Sequence, residues 1–213
     1  RAMLAAVSRL KDQLIDHEEA ARQAANPSEE IYAEAYAMYQ QRLRAANAMD
    51  FDDLIMNTVH LFQAWPEVRE TYRRRFQHVL VDEYQDTNHA QYSLIRELCG
   101  ETADLMVVGD SDQSIYAFRG ADIRNILEFE KDFPNASTIL LEQNYRSTQT
   151  ILTAANSVIS RNDDRRPKNL WSASGDGEPI IAYAGEDERD EAQFVADEID
   201  RLSAESAAPA RDI

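Results

Sequence analysis

The 213-residue chain carries 39 acidic and 22 basic residues, for a formal net charge of −17. Its length allows one large domain or two small ones, enough to bury roughly 70% of the unfolded chain's surface. The charge balance excludes a general cationic coat that grips nucleic acid, though it leaves room for a local basic groove. A single cysteine, Cys99, excludes an internal disulfide, supplies too few thiols for a structural zinc site, and suits a reducing, cytoplasmic setting. His17, His60, His78 and His89 lie far apart and show no ligand spacing. No apolar run approaches the ~20 residues of a membrane span, so no membrane is expected among the partners. The chain opens inside a helical pattern at Arg1 and stops at Pro209-Ala210-Arg211-Asp212-Ile213 where a new element could begin. An internal piece of something longer is expected.

Residues 1–46 predict a hairpin of two helices. Met3, Val7, Leu10 and Leu14 share one helical face, as do Tyr32, Tyr36, Tyr39 and Leu43. Asn26-Pro27-Ser28-Glu29 reads as the second start, with a capping side chain, an early proline and a glutamate at the third position. Phe51-Asp52-Asp53-Leu54-Ile55 opens a helix that stops near Trp65-Pro66, and a short basic helix follows from Val68 to Phe76. Three apolar runs then alternate with helices: Val79-Leu80-Val81, Leu105-Met106-Val107-Val108 and Thr138-Ile139-Leu140-Leu141 as strands, about 89–99, 122–132 and 148–160 as helices. Such alternation predicts a parallel α/β sheet covered on both faces. Pro179-Ile180-Ile181-Ala182-Tyr183 is a further strand candidate, followed by an acidic helix over 187–203. Residues 173–213 hold twelve acidic and three basic side chains, a solvated face or an interaction surface. The basic clusters Arg73-Arg74-Arg75 and Arg165-Arg166 are candidates for phosphate contact.

Three clusters are candidates to carry chemistry, each just after a predicted strand. Asp82 and Glu83 end an apolar run that cannot bury them, so they emerge at the carboxyl edge of the sheet, where open α/β sheets bind ligands. One carboxylate there can hold Mg²⁺, a hard cation that prefers oxygen; the other can polarise an attacking water. Gly109-Asp110-Ser111-Asp112-Gln113-Ser114 follows the second strand, and the amide of Gln113 can both donate to and accept from a phosphate or its water. Tyr116 and Phe118 lie two apart; in an extended segment they face the same way, as a base-stacking platform or as core. In the third cluster, Leu141-Glu142-Gln143-Asn144-Tyr145-Arg146-Ser147, Arg146 stands beside a helix start that Ser147 is expected to cap, a plausible phosphate clamp.

Asp82-Glu83-Tyr84-Gln85-Asp86-Thr87, the run from Gly109 to Ala121, and Leu141 to Ser147 resemble motifs II, III and IV of the UvrD/PcrA/Rep-type superfamily 1 DNA helicases, in that family's order. Met49-Asp50-Phe51-Asp52-Asp53-Leu54 resembles the segment ahead of motif II. The resemblance implies RecA-like parallel sheets with flanking helices: the helical end of a 1B-like subdomain at 1–48, part of a first motor domain (1A) at 49–134, and the start of a second RecA-like domain (2A) at 135–213. It implies that Asp82 holds Mg²⁺ on ATP, Glu83 activates the hydrolytic water and Gln113 senses the γ-phosphate. It further implies that Tyr145 stacks on adenine and Arg146 reaches the γ-phosphate. Tyr116 and Phe118 would stack on single-stranded DNA, with Arg119 coupling them to the nucleotide site. Position 118 is often tryptophan in such proteins; phenylalanine keeps the ring with less stacking area.

The implied activity is ATP-driven 3'-5' translocation on single-stranded DNA and unwinding at duplex junctions, in DNA repair or replication alongside partner proteins. A phosphate-cradling loop needs Gly-Lys-Ser/Thr. Here the six glycines are followed by Glu101, Asp110, Ala121, Asp176, Glu178 and Glu186. The isolated chain is therefore expected to be inactive. Two other readings compete: a metal-dependent nuclease, which needs several converging acids but no Gln-aromatic-Arg series, and a non-catalytic interaction module with a helicase-like fold.

Overall fold

The computed structural model describes residues 2–100, 104–162 and 165–204. The chain divides into two compact units, Arg1–Ile139 with Asn162–Pro167, and Leu140–Arg161 with Lys168–Ile213. Both are rich in helix, and one small parallel sheet makes the architecture α/β.

Three helices, not two, form before residue 46: α1 (Ala2–Asp12), α2 (His17–Gln23) and α3 (Pro27–Ala45). The stripe through Leu14 is cut because Leu14 adopts a left-handed φ of 59°. Its N–H donates to Lys11 O and that of Ile15 to Leu10 O, a closure that ends a helix. Asp16 then caps α2 by accepting from Glu19 N–H. Asn26 caps α3 in the same way on Glu29 N–H, and the Glu29 carboxylate accepts from Ala25 N–H. Val7, Ala20, Ala33 and Tyr36 form the core of this bundle, with Leu10, Ile15 and Tyr39 packed on it.

Lys11 is sealed among these helices at 1% exposure. Its ammonium lies 2.7 Å from Asp50 Oδ2 and 2.8 Å from Asp53 Oδ1, donates to Gln40 Oε1 at 3.0 Å, and stands over the rings of Tyr39 and Tyr36. Asp50 and Asp53 also form the capping box of α4 (Phe51–Ala64). One cation thus ties α1 and α3 to the first turn of α4. Burial pushes the Asp50 carboxyl up, but hydrogen bonds from Lys11, the Asp53 backbone and Tyr39 outweigh it and hold the group below its ordinary range.

After α5 (Pro66–Arg75) come β1 (His78–Val81), α6 (His89–Cys99) and β2 (Asp104–Val107). The strands pair in parallel, His78 with Asp104 through Val81 with Val107. Alternation puts Val79, Val81, Leu105 and Val107 on one face, against Tyr84, Ile95 and Cys99. The facing pair Leu80 and Met106 is exposed, so among the described residues the sheet is covered on one face, not both. The expected helix over 122–132 is two short turns, α7 (Arg124–Leu127) and α8 (Phe129–Asp132). The arginine clusters are largely engaged in protein contacts. Arg73 donates to Glu97 O, Arg165 pairs with Asp112, and Arg166 pairs with Glu130.

The strands expected over 138–141, where the first unit gives way to the second, and over 179–183 do not form. A single parallel bridge between Gln143 and Trp171 stands near the first. Leu141, Ile180 and Ile181 are exposed, so no apolar layer fixes those runs as strands. Helix α9 (Gln149–Ile159) is held by Asn156, which donates to Leu170 O and accepts from Leu170 N–H. Helix α10 (Glu188–Ala204) docks Phe194 on Tyr183 with ring centroids 4.1 Å apart. Residues 205–213 of the acidic region lie outside the described residues. No helix among the described residues is long and apolar enough to cross a membrane.

Candidate nucleotide and nucleic-acid site

The chain leaves β1 through Asp82 and Glu83, both exposed at the carboxyl edge of the sheet. Glu83 sits in left-handed backbone, φ 48° and ψ 42°. That conformation costs a non-glycine residue about 1–2 kcal/mol, and its surroundings hold it there. Tyr84 N–H donates to Val108 O, Val108 N–H to Val81 O, and Asp86 N–H to Glu83 O. Past Glu83 the chain turns inward, and Tyr84 and Gln85 are both buried.

Gln85 is the residue that sequence reasoning passed over. It is 1% exposed. Its Nε2 donates to Glu83 Oε2 at 2.8 Å and more weakly to Asp86 Oδ2, while its Oε1 accepts from Asp110 N–H at 2.9 Å. One amide therefore joins the acid-bearing turn to the loop after β2. Gly109 is required beside it, since a Cβ there would stand 2.6 Å from Gln85 Oε1. A signal was present in the sequence: an amide between two carboxylates, following a strand, suits an orienting bridge. Replacing Gln85 by alanine is expected to cost about 1–3 kcal/mol of stability, because Asp110 N–H loses its acceptor. Thermal denaturation of the chain measures it.

Asp110 shapes the second loop. Its Oδ1 accepts from Asp112 N–H and its Oδ2 from Gln113 Nε2 at 2.8 Å, which holds the exposed Gln113 side chain over the loop. Arg165 grips Asp112 with two hydrogen bonds of 3.0 and 2.7 Å. Glu83, Gln85, Asp86, Asp112, Gln113, Ile115 and Tyr116 line one open cleft of about 530 Å³. Asp86 Oδ1 is buried there with no hydrogen-bond partner among the described residues.

Tyr116 and Phe118 do not lie on extended backbone as expected. Ala117–Arg119 is a 3-10 turn that Gly120 closes at φ 88°. The rings nonetheless meet, with centroids 5.9 Å apart, and the Arg119 guanidinium lies over both, 5.0 Å from Tyr116 and 5.4 Å from Phe118. Phe118 is 75% exposed, whereas Tyr116 is half-buried at the cleft wall.

Tyr145 and Arg146 belong to the second unit, where both are exposed. Ser147 does not cap α9. Instead, Asn144 Oδ1 accepts from the N–H groups of Arg146 and Ser147, a local turn that fixes this backbone ahead of the helix.

The sequence model of the UvrD/REP helicase N-terminal domain matches residues 1–134, and that of the UvrD-like helicase C-terminal domain matches 139–213. The chain belongs to the UvrD/REP helicase family. It is 57% identical over 215 residues to ATP-dependent DNA helicase UvrD1 of Mycobacterium leprae, an alignment covering 95% of this chain and 28% of that protein. Identity to UvrD1 of Mycobacterium tuberculosis is 56% over 223 residues, covering 100% of the chain and 29% of the relative. Identity to ATP-dependent DNA helicase PcrA of Staphylococcus aureus is 54% over 199 residues, covering 93% and 27%. The chain thus spans under a third of the length of these curated relatives.

Proposed function

We propose that the chain is the middle of an ATP-dependent, 3'-5' DNA helicase motor, in which residues 1–48 end a 1B-like subdomain, 49–134 belong to a first RecA-like domain and 135–213 begin a second. The observation that carries this reading is the Gln85 bridge, which links Glu83 to the Asp110–Gln113 loop in a cleft walled by Tyr116. Glu83 acts as the general base, orienting and deprotonating the attacking water. Gln113 senses the γ-phosphate, Arg146 supplies positive charge to it, and Tyr145 stacks on adenine. Tyr116 and Phe118 carry single-stranded DNA, with Arg119 relaying between rings and nucleotide.

The donor set fits Mg²⁺ on one condition. Among the described residues no three acids or other ligating side chains converge to hold a metal unaided. Mg²⁺ commonly takes one or two carboxylates together with substrate phosphates and water, and Asp82 supplies the carboxylate. Bound with ATP, the ion offsets charge on the phosphates. The activity we assign to the full-length protein is strand translocation and unwinding at duplex junctions, in repair or replication within the cytoplasm.

Two measurements test the reading. The isolated 213-residue chain, which has no Gly-Lys step, is expected to hydrolyse ATP negligibly with or without single-stranded DNA; clear DNA-stimulated turnover by it would contradict the assignment. In the full-length protein, Phe118→Ala is expected to weaken single-strand binding by about 1–3 kcal/mol. Its melting temperature should scarcely move, because the ring is exposed. Tyr116→Ala, at a half-buried position, is expected to lose both binding and some stability. Fluorescence anisotropy beside thermal melts separates the two effects.

A further inference from the structure

Phe118 has little packing of its own to hold it, so its position depends on the backbone of the Tyr116–Gly120 turn. That turn is closed internally by Arg119 N–H on Tyr116 O, Gly120 N–H on Ala117 O and Ala121 N–H on Tyr116 O. Its exit is tied to Thr87. Asp122 N–H donates to Thr87 O, and Asn125 Nδ2 donates to both Thr87 O and Oγ1.

A residue distant in sequence packs against the turn without a hydrogen bond to it. Asp12, the last residue of α1, places Oδ1 2.6 Å from Asn88 Nδ2 and accepts its hydrogen bond. Asn88 is otherwise committed: it caps α6, exchanging hydrogen bonds with Gln91 through Asn88 Oδ1 and backbone N–H. The other oxygen of Asp12, Oδ2, lies over Gly120, 2.9 Å from where a Cβ would stand, with Asp12 Cγ and Cβ at 3.6 and 3.7 Å. Gly120 is favoured by its positive φ, and a side chain there would also have to displace the Asp12 carboxylate. Burial, with Asp52 nearby, pushes the Asp12 carboxyl up to about 6, so the fold holds this acid in a place that solvates its charge less well than water does.

We propose that Asp12 is a positioning residue: its carboxyl clasps the Tyr116–Gly120 turn to the start of α6 and thereby sets the aromatic pair for a single strand. The clasp stands on its own geometry; its role in DNA binding rests on the base-stacking function assigned above. It makes the end of α1 part of the DNA-binding apparatus, although Asp12 touches neither ring.

The test uses the full-length protein with Asp12→Ala and Asp12→Asn, and Asp12→Ser as a second truncation. Amide hydrogen exchange at Arg119, Gly120 and Ala121 reads the clasp directly, and anisotropy with a labelled oligothymidine reads strand binding. Asp12→Ala and Asp12→Ser are expected to speed exchange in the turn by about tenfold, as local opening becomes easier by about 1.4 kcal/mol. Oligothymidine binding should weaken by about tenfold at the same time. Asp12→Asn retains an acceptor for Asn88 and is expected to restore both. Unchanged exchange in both truncations would overturn the clasp. Faster exchange with unchanged oligothymidine affinity would leave the clasp standing and overturn its role in strand binding.

Discussion

Glu83→Gln in the full-length protein is expected to lower ATP turnover by about 10²–10⁴-fold, the range that general-base catalysis supplies. Nucleotide binding should stay near wild type. The substitution keeps the shape of the side chain, and an amide oxygen can still accept from Gln85 Nε2, which donates to Glu83 at 2.8 Å. The left-handed backbone at this position is held by neighbouring hydrogen bonds and not by the carboxylate. What disappears is the capacity to take a proton from water. Steady-state ATPase assays with single-stranded DNA, beside titration of a fluorescent ATP analogue, separate loss of chemistry from loss of binding. Wild-type turnover would remove Glu83 from the role of base.

Lys11→Met is expected to destabilise the chain by about 3–5 kcal/mol, since it leaves buried carboxylates without their cation. Methionine fills a similar volume, so the loss reports charge and not a cavity. Asp53, 1% exposed, suffers most; Asp50 is only partly buried and can recruit water. The effect depends on pH with a definite sign. Because the Asp50 carboxyl is held below its ordinary value, its contribution is present above the unfolded value of about 3.9 and fades as pH falls through the lower folded value. The gap between wild type and variant should therefore narrow in acid. Urea denaturation at neutral pH and near pH 3 gives the comparison, and a gap that is small at neutral pH would show that water reaches the two acids.

Local chemistry was legible wherever short-range rules govern it. The Asn26 cap, the Asp50-Phe51 start, α6 and both paired strands follow from residue types within a few positions of each other. The break at Leu14 was not legible, because a leucine in left-handed backbone gives no compositional warning. Neither were the strands that fail over 138–141 and 179–183, since an apolar run becomes a strand only where a neighbour accepts its hydrogen bonds. Around the cleft, the places of Glu83 and Gln113 were legible from the apolar runs that precede them. Those of Gln85, Asp12 and Lys11 were not, because their partners lie up to 76 residues away along the chain.

The chain has only three lysines, Lys11, Lys131 and Lys168, and they differ sharply in access: Lys11 is enclosed, whereas the Lys131 side chain is 74% exposed. An amine-acylating reagent should therefore modify Lys131 at once and Lys11 only when the first three helices part from α4. Trypsin should likewise leave the bond after Lys11 uncut while the bundle is closed. The ratio of the two labels, read by mass spectrometry, becomes a clock for opening at this joint. It needs no added dye and carries its own internal standard.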